Sequence, residues 1–182
     1  MTVDEFLAAY QAGKRDFQGV VIEAADFFDC DLRNCNLGDA QLPGAYLPYA
    51  RLSRSRLAGV NLSGANLSNT FLQAVDLSGA NLQGALMSFV NLRGSRLCYA
   101  NLHQANLYSA DLTGVDLTGA DLSQVNLSRS LLTKARFSQV DLRGGTLFRA
   151  QQVNLADAIY DRTTIGPDGY PMDKSDISGN PS

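Results

Sequence analysis

The 182-residue sequence has no tryptophan, a single histidine, three cysteines and five prolines. Without Trp, a core must be built from small and aliphatic side chains, and the 45% hydrophobic content is enough for one. Three cysteines are too few and too odd for a disulfide scaffold, and fit a reducing compartment. Neither sign of charge dominates: 15 Lys and Arg stand against 18 Asp and Glu, a formal net charge of −3. That excludes a generally basic nucleic-acid binder. No run of about 18 apolar residues exists, so no membrane span is expected. The opening Met1-Thr2-Val3-Asp4-Glu5 has neither the cationic nor the apolar region of a signal peptide, so the expected location is cytoplasmic.

What the sequence does have is a period. From Phe17 every fifth residue is large and apolar, through Ile22, Phe27 and Leu32 to Phe137, Leu142 and Leu147, 27 consecutive positions. A gap of five is neither a helical nor a strand period. Two residues before each of these centres, from Val20 onward, stands a small residue, as at Ala25, Cys30, Cys35, Ala40, Ala65, Ala100 and Val140. Positions two apart in an extended segment share a side, so each unit turns one large and one small side chain inward. The residue between them, often Asn or Asp, points outward. The remaining two residues must turn the chain. Ten of the 16 glycines occupy the second turn position, Gly44 and Gly84 among them, where a type II turn needs positive φ. Pro43-Gly44 suits type II and Pro48-Tyr49 suits type I.

Ala65-Asn66-Leu67-Ser68-Asn69, Ala80-Asn81-Leu82-Gln83-Gly84 and Ala120-Asp121-Leu122-Ser123-Gln124 resemble the A(D/N)LXX unit of the pentapeptide-repeat family, in its cyanobacterial type. The resemblance covers residues 17–147 without a break. It implies an all-β fold, a right-handed quadrilateral parallel β-helix (solenoid) of about seven to eight coils, 20 residues each. The outward column Arg56, Asp76, Arg96, Asp116, Arg136 alternates in charge at that spacing and reads as a ladder of exposed ion pairs, each worth a fraction of a kcal/mol.

Three segments are expected: an N-terminal capping helix within 1–14, a repeat body over 15–165, and a C-terminal cap and frayed tail over 166–182. Thr2 with Glu5 forms a capping box, Val3, Phe6, Leu7 and Tyr10 make a helical stripe, and Gly13 reads as the stop. Near 148–152 the frame slips, and an outward-bulging insertion is expected. The small-x-large pattern then resumes as Val153-Asn154-Leu155, Ala158-Ile159-Tyr160 and Thr163-Thr164-Ile165.

No catalytic constellation is visible, so no enzyme, cofactor or metal site is expected. His103 reads as a surface residue beside Gln83 and Ser123, with no carboxylate in its column to orient it. Cys30 and Cys35 read as small core residues and Cys98 as exposed. Asp26, Asp29, Asp31 and Asp39 fall at outward and turn positions, where solvated acids are ordinary. Arg51, Arg54 and Arg56 form a basic corner that Asp31 and Asp76 should neutralise.

The function expected is a non-enzymatic scaffold for protein–protein interaction. The outward positions break their polar pattern at Tyr46, Tyr49, Leu86, Phe89 and Tyr108, with Phe28 and Phe148 at the ends and Phe71 and Leu131 on the adjoining side. Clustered exposed apolar groups mark an interface, taken by a protein partner or by a second copy in a homodimer, and not by nucleic acid or membrane. The alternative is the DNA mimicry of family members that bind DNA gyrase and relieve quinolone inhibition. That activity needs a dense negative face, whereas residues 17–147 carry ten acids and ten bases.

Overall fold

The computed structural model describes residues 1–173. The chain opens with one helix, α1 (Val3–Gln11), whose capping box is complete: Glu5 N–H donates to Thr2 Oγ1 at 3.2 Å and Thr2 N–H to Glu5 Oε2 at 2.8 Å. Phe6 on its inner face is fully buried and meets the rings of Phe17 and Phe27 at 4.0 and 5.1 Å. The Tyr10 hydroxyl donates to the Arg33 carbonyl at 2.9 Å, pinning the helix over the first coil.

From Asp16 onward the chain winds in coils that meet through single-residue parallel bridges 20 apart, such as Tyr46 with Asn66, Asn66 with Leu86 and Leu86 with Asn106. This corrects the expected fold class. Among the described residues α1 is the only regular element, and no β-strand or sheet forms, so the chain is not the all-β right-handed parallel β-helix or solenoid of the sequence reading. The physical reason lies in the unit itself. A two-residue corner follows every three extended residues, so each coil side offers one bridging residue and a second consecutive pair never forms.

The hydrogen-bond accounting explains the repeat. In the unit Ala65 to Asn69, the Leu67 N–H reaches up to Leu86 O at 2.7 Å and Asn69 N–H to Ser88 O at 2.9 Å. Asn66 N–H reaches down to Ala45 O at 2.9 Å, and Thr70 N–H closes the corner on Leu67 O at 3.2 Å. The one N–H left over, on Ser68, donates to the side-chain Oδ1 of Asn66 at 3.1 Å. An Asn or Asp at the outward position thus satisfies the first corner N–H, which has no backbone partner. The same bond recurs at Asn61 to Ser63, Asn106 to Tyr108 and Asp121 to Ser123.

The inward columns form one continuous core, with Leu67, Leu82, Leu107, Leu122 and Leu142 fully buried. The second corner residue has positive φ at every unit from Gly19 to Arg149, whether it is Gly or not. Tyr49, at φ 63°, conforms, so the type I turn expected at Pro48-Tyr49 is corrected: a type I turn has negative φ there. Cys98 is buried, not exposed; its Sγ lies 3.9 Å from the Asp116 carbonyl of the next coil, and burial raises its thiol pKa.

The frame slip is a shortening, not an outward insertion. Gln151 still bridges Leu131 at the regular spacing, but Asp141 bridges Ile159 and Thr146 bridges Ile165, two and one residues early. Leu155 and Tyr160 point inward as expected, while Thr163 is exposed, Ile165 takes a bridging position, and Thr164 and Gly166 take the inward ones. The coil end is closed by a reversal in which Ile165 bridges Pro171 antiparallel and Met172 N–H donates to Thr164 O at 2.8 Å. The expected frayed tail lies, beyond Asp173, outside the described residues.

Candidate functional site

The structure places the six candidate residues around one corner. Tyr46 and Leu86 stand on one side of the coil, and Tyr49, Phe89 and Tyr108 on the corner that follows it. Phe71 stands on the next side, bridging Arg51 and Asn91. Tyr46, Tyr49, Phe71, Leu86 and Phe89 are exposed and Tyr108 is half-buried. They form two clusters rather than one patch, because the intervening coil presents Asn66, Ser68 and Asn69. In the first, Phe28 stacks on Tyr46 at 6.1 Å and meets Tyr49 edge-on at 5.9 Å. In the second, Phe89 meets Tyr108 edge-on at 5.8 Å, and the Arg129 guanidinium lies 5.8 Å over the Tyr108 ring. Phe28 is therefore central to the first cluster, with half of its surface exposed (52%), although its place in the sequence suggested only an end.

Tyr46, Phe71, Leu86 and Leu131 each stand where the repeat most often puts the Asn or Asp acceptor. At Leu86, Phe71 and Leu131 no side-chain oxygen serves the corner N–H of Ser88, Gln73 and Thr133. At Tyr46 the following corner residue is Pro48, which has no N–H to serve. At Leu86, Phe71 and Leu131 the apolar side chain leaves the corner N–H without a side-chain acceptor, as Val21, Arg51, Arg56, Arg96 and Arg136 do elsewhere in the same outward position.

The remaining candidates resolve into structure. His103 Nδ1 lies 2.7 Å from Ser123 Oγ, whose hydroxyl donates to Asp121 Oδ1 at 2.6 Å. The carboxylate that the column lacks thus comes from the outward position of the serine's own unit. It faces the serine and not the imidazole, so this chain of bonds lacks the orienting contact of a nucleophilic triad. The chain borders an open hollow of about 980 Å³ beside the shortened coil, where Arg143 forks onto Asp141. That ion pair holds the Asp141 carboxyl below the ordinary carboxylate range.

Burial pushes the Cys35 thiol up to about 11 and raises that of Cys30, which keeps both protonated and poor metal ligands. Among the described residues no group of His, Cys, Asp or Glu is placed to hold a metal ion.

The alternating column is assembled as read, Arg56 to Arg136, but among the described residues only Arg136 with Asp116, at 3.6 Å, approaches as an ion pair. Asp76 and Asp116 curl onto their own corners instead, each accepting N–H and hydroxyl from Ser78 or Thr118. At the basic corner Asp31 does stand beneath Arg51, yet it clamps Arg33 at 2.6 Å, and Arg51 lies 4.0 Å from Asp29.

A coil of five-residue units, most of them with an Asn or Asp serving the corner, defines a class of repeat protein, and comparison with known proteins agrees. The model of pentapeptide repeats matches in eight copies between residues 25 and 147. The chain belongs to the pentapeptide-repeat family. Among solved structures it is similar to HetL of the cyanobacterium Nostoc sp. strain PCC 7120, a pentapeptide repeat protein involved in heterocyst differentiation regulation. That match has 28% identity and a TM-score of 0.61, covering 94% of this chain and 100% of the other. It is also similar to alr5209 of the same organism, at 27% identity and TM-score 0.45 over 87% of this chain and 95% of that one. A third match is QnrB1, a plasmid-mediated fluoroquinolone resistance protein, at 19% identity and TM-score 0.39 over 89% and 88%. No curated protein matches by sequence. Among the described residues no helix is long and apolar enough to cross a membrane.

Proposed function

We propose that this chain is a non-enzymatic scaffold for protein–protein interaction, acting in the cytoplasm through the corner that carries Tyr46, Tyr49, Phe71, Leu86, Phe89 and Tyr108. The observation that carries the reading is the gathering of exposed apolar and aromatic side chains at Tyr46, Tyr49, Phe71, Leu86 and Phe89 around one corner. Elsewhere the outward positions mostly present Ser, Gly, Asn, Gln, Asp and Arg, with exposed apolar residues such as Val21 and Tyr99 outside the corner. The similarity to HetL, a pentapeptide repeat protein involved in heterocyst differentiation regulation, supports a regulatory setting for that interaction. The test compares wild type with the double variant Tyr49→Asp plus Phe89→Asp. Both side chains point outward, so melting temperature should change little. Partners recovered by affinity capture from the native host, and the oligomeric state, should change. Unchanged capture and unchanged state would remove the corner from the function.

A further inference from the structure

We infer that the occupant of this corner is a second copy of the chain, docked antiparallel about a two-fold axis that passes between the two Phe89 side chains. The inference rests on the scaffold reading above and adds the identity and register of the partner.

The argument comes from the order of chemistry along the corner. Its second position runs, one coil at a time, Asp29, Tyr49, Asn69, Phe89, Ser109, Arg129, Arg149. All of these have positive φ or lie in the same regular corner frame, and the bridges stay 20 apart from Asp26 to Thr146. The acidic end, with Asp26 beside Asp29, lies three coils from Phe89, and the basic end, Arg149, lies three coils beyond it. At the ordinary inter-strand spacing that is about 14 Å each way. Because both halves have the same pitch, a two-fold axis at Phe89 brings each residue opposite its mirror position. Asp29 meets the partner's Arg149, Tyr49 meets the partner's Arg129, and Phe89 meets its own counterpart.

The neighbouring columns have the same centre. Leu86 falls on the axis in the outward column, and Phe28 falls opposite the partner's Phe148 in the first corner column. All three aromatic or apolar groups are exposed. A parallel arrangement instead gathers the acidic ends at one end of the pair and the basic ends at the other, without this charge match. The charges are available for it. Among the described residues neither Arg129 nor Arg149 forms an ion pair; each lies only over an aromatic ring of its own chain. Asp29 has only the 4.0 Å approach of Arg51. Self-complementarity of this kind is what an isologous interface requires, and opposed charges at its two ends fix the register.

The experiment measures dimerisation of the full chain by sedimentation equilibrium, for wild type, Asp29→Arg, Arg149→Asp and an equimolar mixture of the two variants. Wild type should dimerise. Each reversal alone should weaken association by about tenfold or more, because like charges then meet at both ends. The mixture should recover dimers, because one variant then carries only cations at these positions and the other only anions. Phe89→Cys under mild oxidation should give a cross-linked dimer whose only new peptide pair joins position 89 to itself. A wild-type chain that stays monomeric, a dimer indifferent to both reversals, or a mixture that fails to recover would each overturn the proposal. If the wild type is monomeric while Tyr49→Asp plus Phe89→Asp still abolishes capture of host proteins, the scaffold reading stands and only the second copy is excluded.

Discussion

The hydroxyl of Ser95 completes the corner of Val75 in the coil before it, accepting the Val75 N–H at 3.1 Å and donating to the Leu72 carbonyl at 2.5 Å. At most corners that N–H and carbonyl meet directly, as from Ala80 to Leu77 at 3.0 Å. Ser55 bridges Cys35 and Leu32 in the same way. Ser95→Ala therefore leaves two buried backbone groups to find each other across a widened turn. The expected loss is about 1–3 kcal/mol, read from urea denaturation midpoints. No loss would mean that the corner recloses by itself.

Leu86→Asn should act in opposite directions on stability and association. The new amide gains the Ser88 N–H as donor, as Asn66 has with Ser68, and stands between Asn66 and Asn106. The fold should gain about 0.5–1.5 kcal/mol while corner-mediated association weakens. A variant that is neither more stable nor weaker in association would show that Leu86 is an ordinary surface residue.

Lys134 holds a left-handed conformation, φ 59°, in an exposed corner. Lys134→Gly removes the clash of its Cβ with the backbone, and this should outweigh the added freedom of the unfolded chain. A gain of about 1 kcal/mol is expected, measured as a raised thermal midpoint with an unchanged circular dichroism spectrum.

Hydrogen bonds from Ser78 and Thr118 hold the Asp76 and Asp116 carboxyls below the ordinary carboxylate value of 3.8, against the opposing effect of burial. A folded-state pKa below the unfolded one stabilises the protein above the unfolded pKa. That contribution is lost as pH falls from about 4 through the folded values. Asp76→Asn plus Asp116→Asn keeps the acceptor for the corner N–H but cannot titrate. Its stability should fall less than that of wild type between neutral pH and about pH 3, in parallel denaturation series. An equal fall in both would assign the acid sensitivity to other carboxylates.

The repeat body carries as many bases as acids, so it lacks the field of a polyphosphate. In a supercoiling assay the purified protein should neither inhibit DNA gyrase nor relieve its inhibition by a quinolone. Clear protection would favour the DNA-mimic alternative.

The winding was legible in the sequence because its cause is local. A large residue at every fifth position, with a small one two before it, leaves only one way to bury both columns. The class of backbone was not legible, because whether extended residues form a strand depends on consecutive bridges, and the corner after Leu67 or Leu107 prevents a second one. The Tyr49 corner was misread because Pro48 suits two turn types, and the inter-coil bond from Tyr49 N–H to Ser68 O is what fits it to the common geometry. Cys98 was misread because its shielding comes from the adjacent coil. The end of the coil was misread because a gain of three and a loss of two residues look alike modulo five. The aromatic side chains were visible from the outset. Their division into two clusters around Asn66 and Asn69, and the acceptor they displace at Leu86 and Phe71, required coordinates.

The second corner position takes the same φ with Gly84, Asn69, Tyr49, Arg54, Lys134 and Phe89. The winding does not depend on what projects there, since the backbone N–H bonds upward from Gly84, Asn69, Tyr49, Arg54 and Phe89 alike. Surface and interior are consequently written in separate alphabets, one read by the core and one by whatever approaches from outside. A lineage can rewrite the outer text one coil at a time, at an interval set by the stacking distance, while the molecule that displays it keeps its shape.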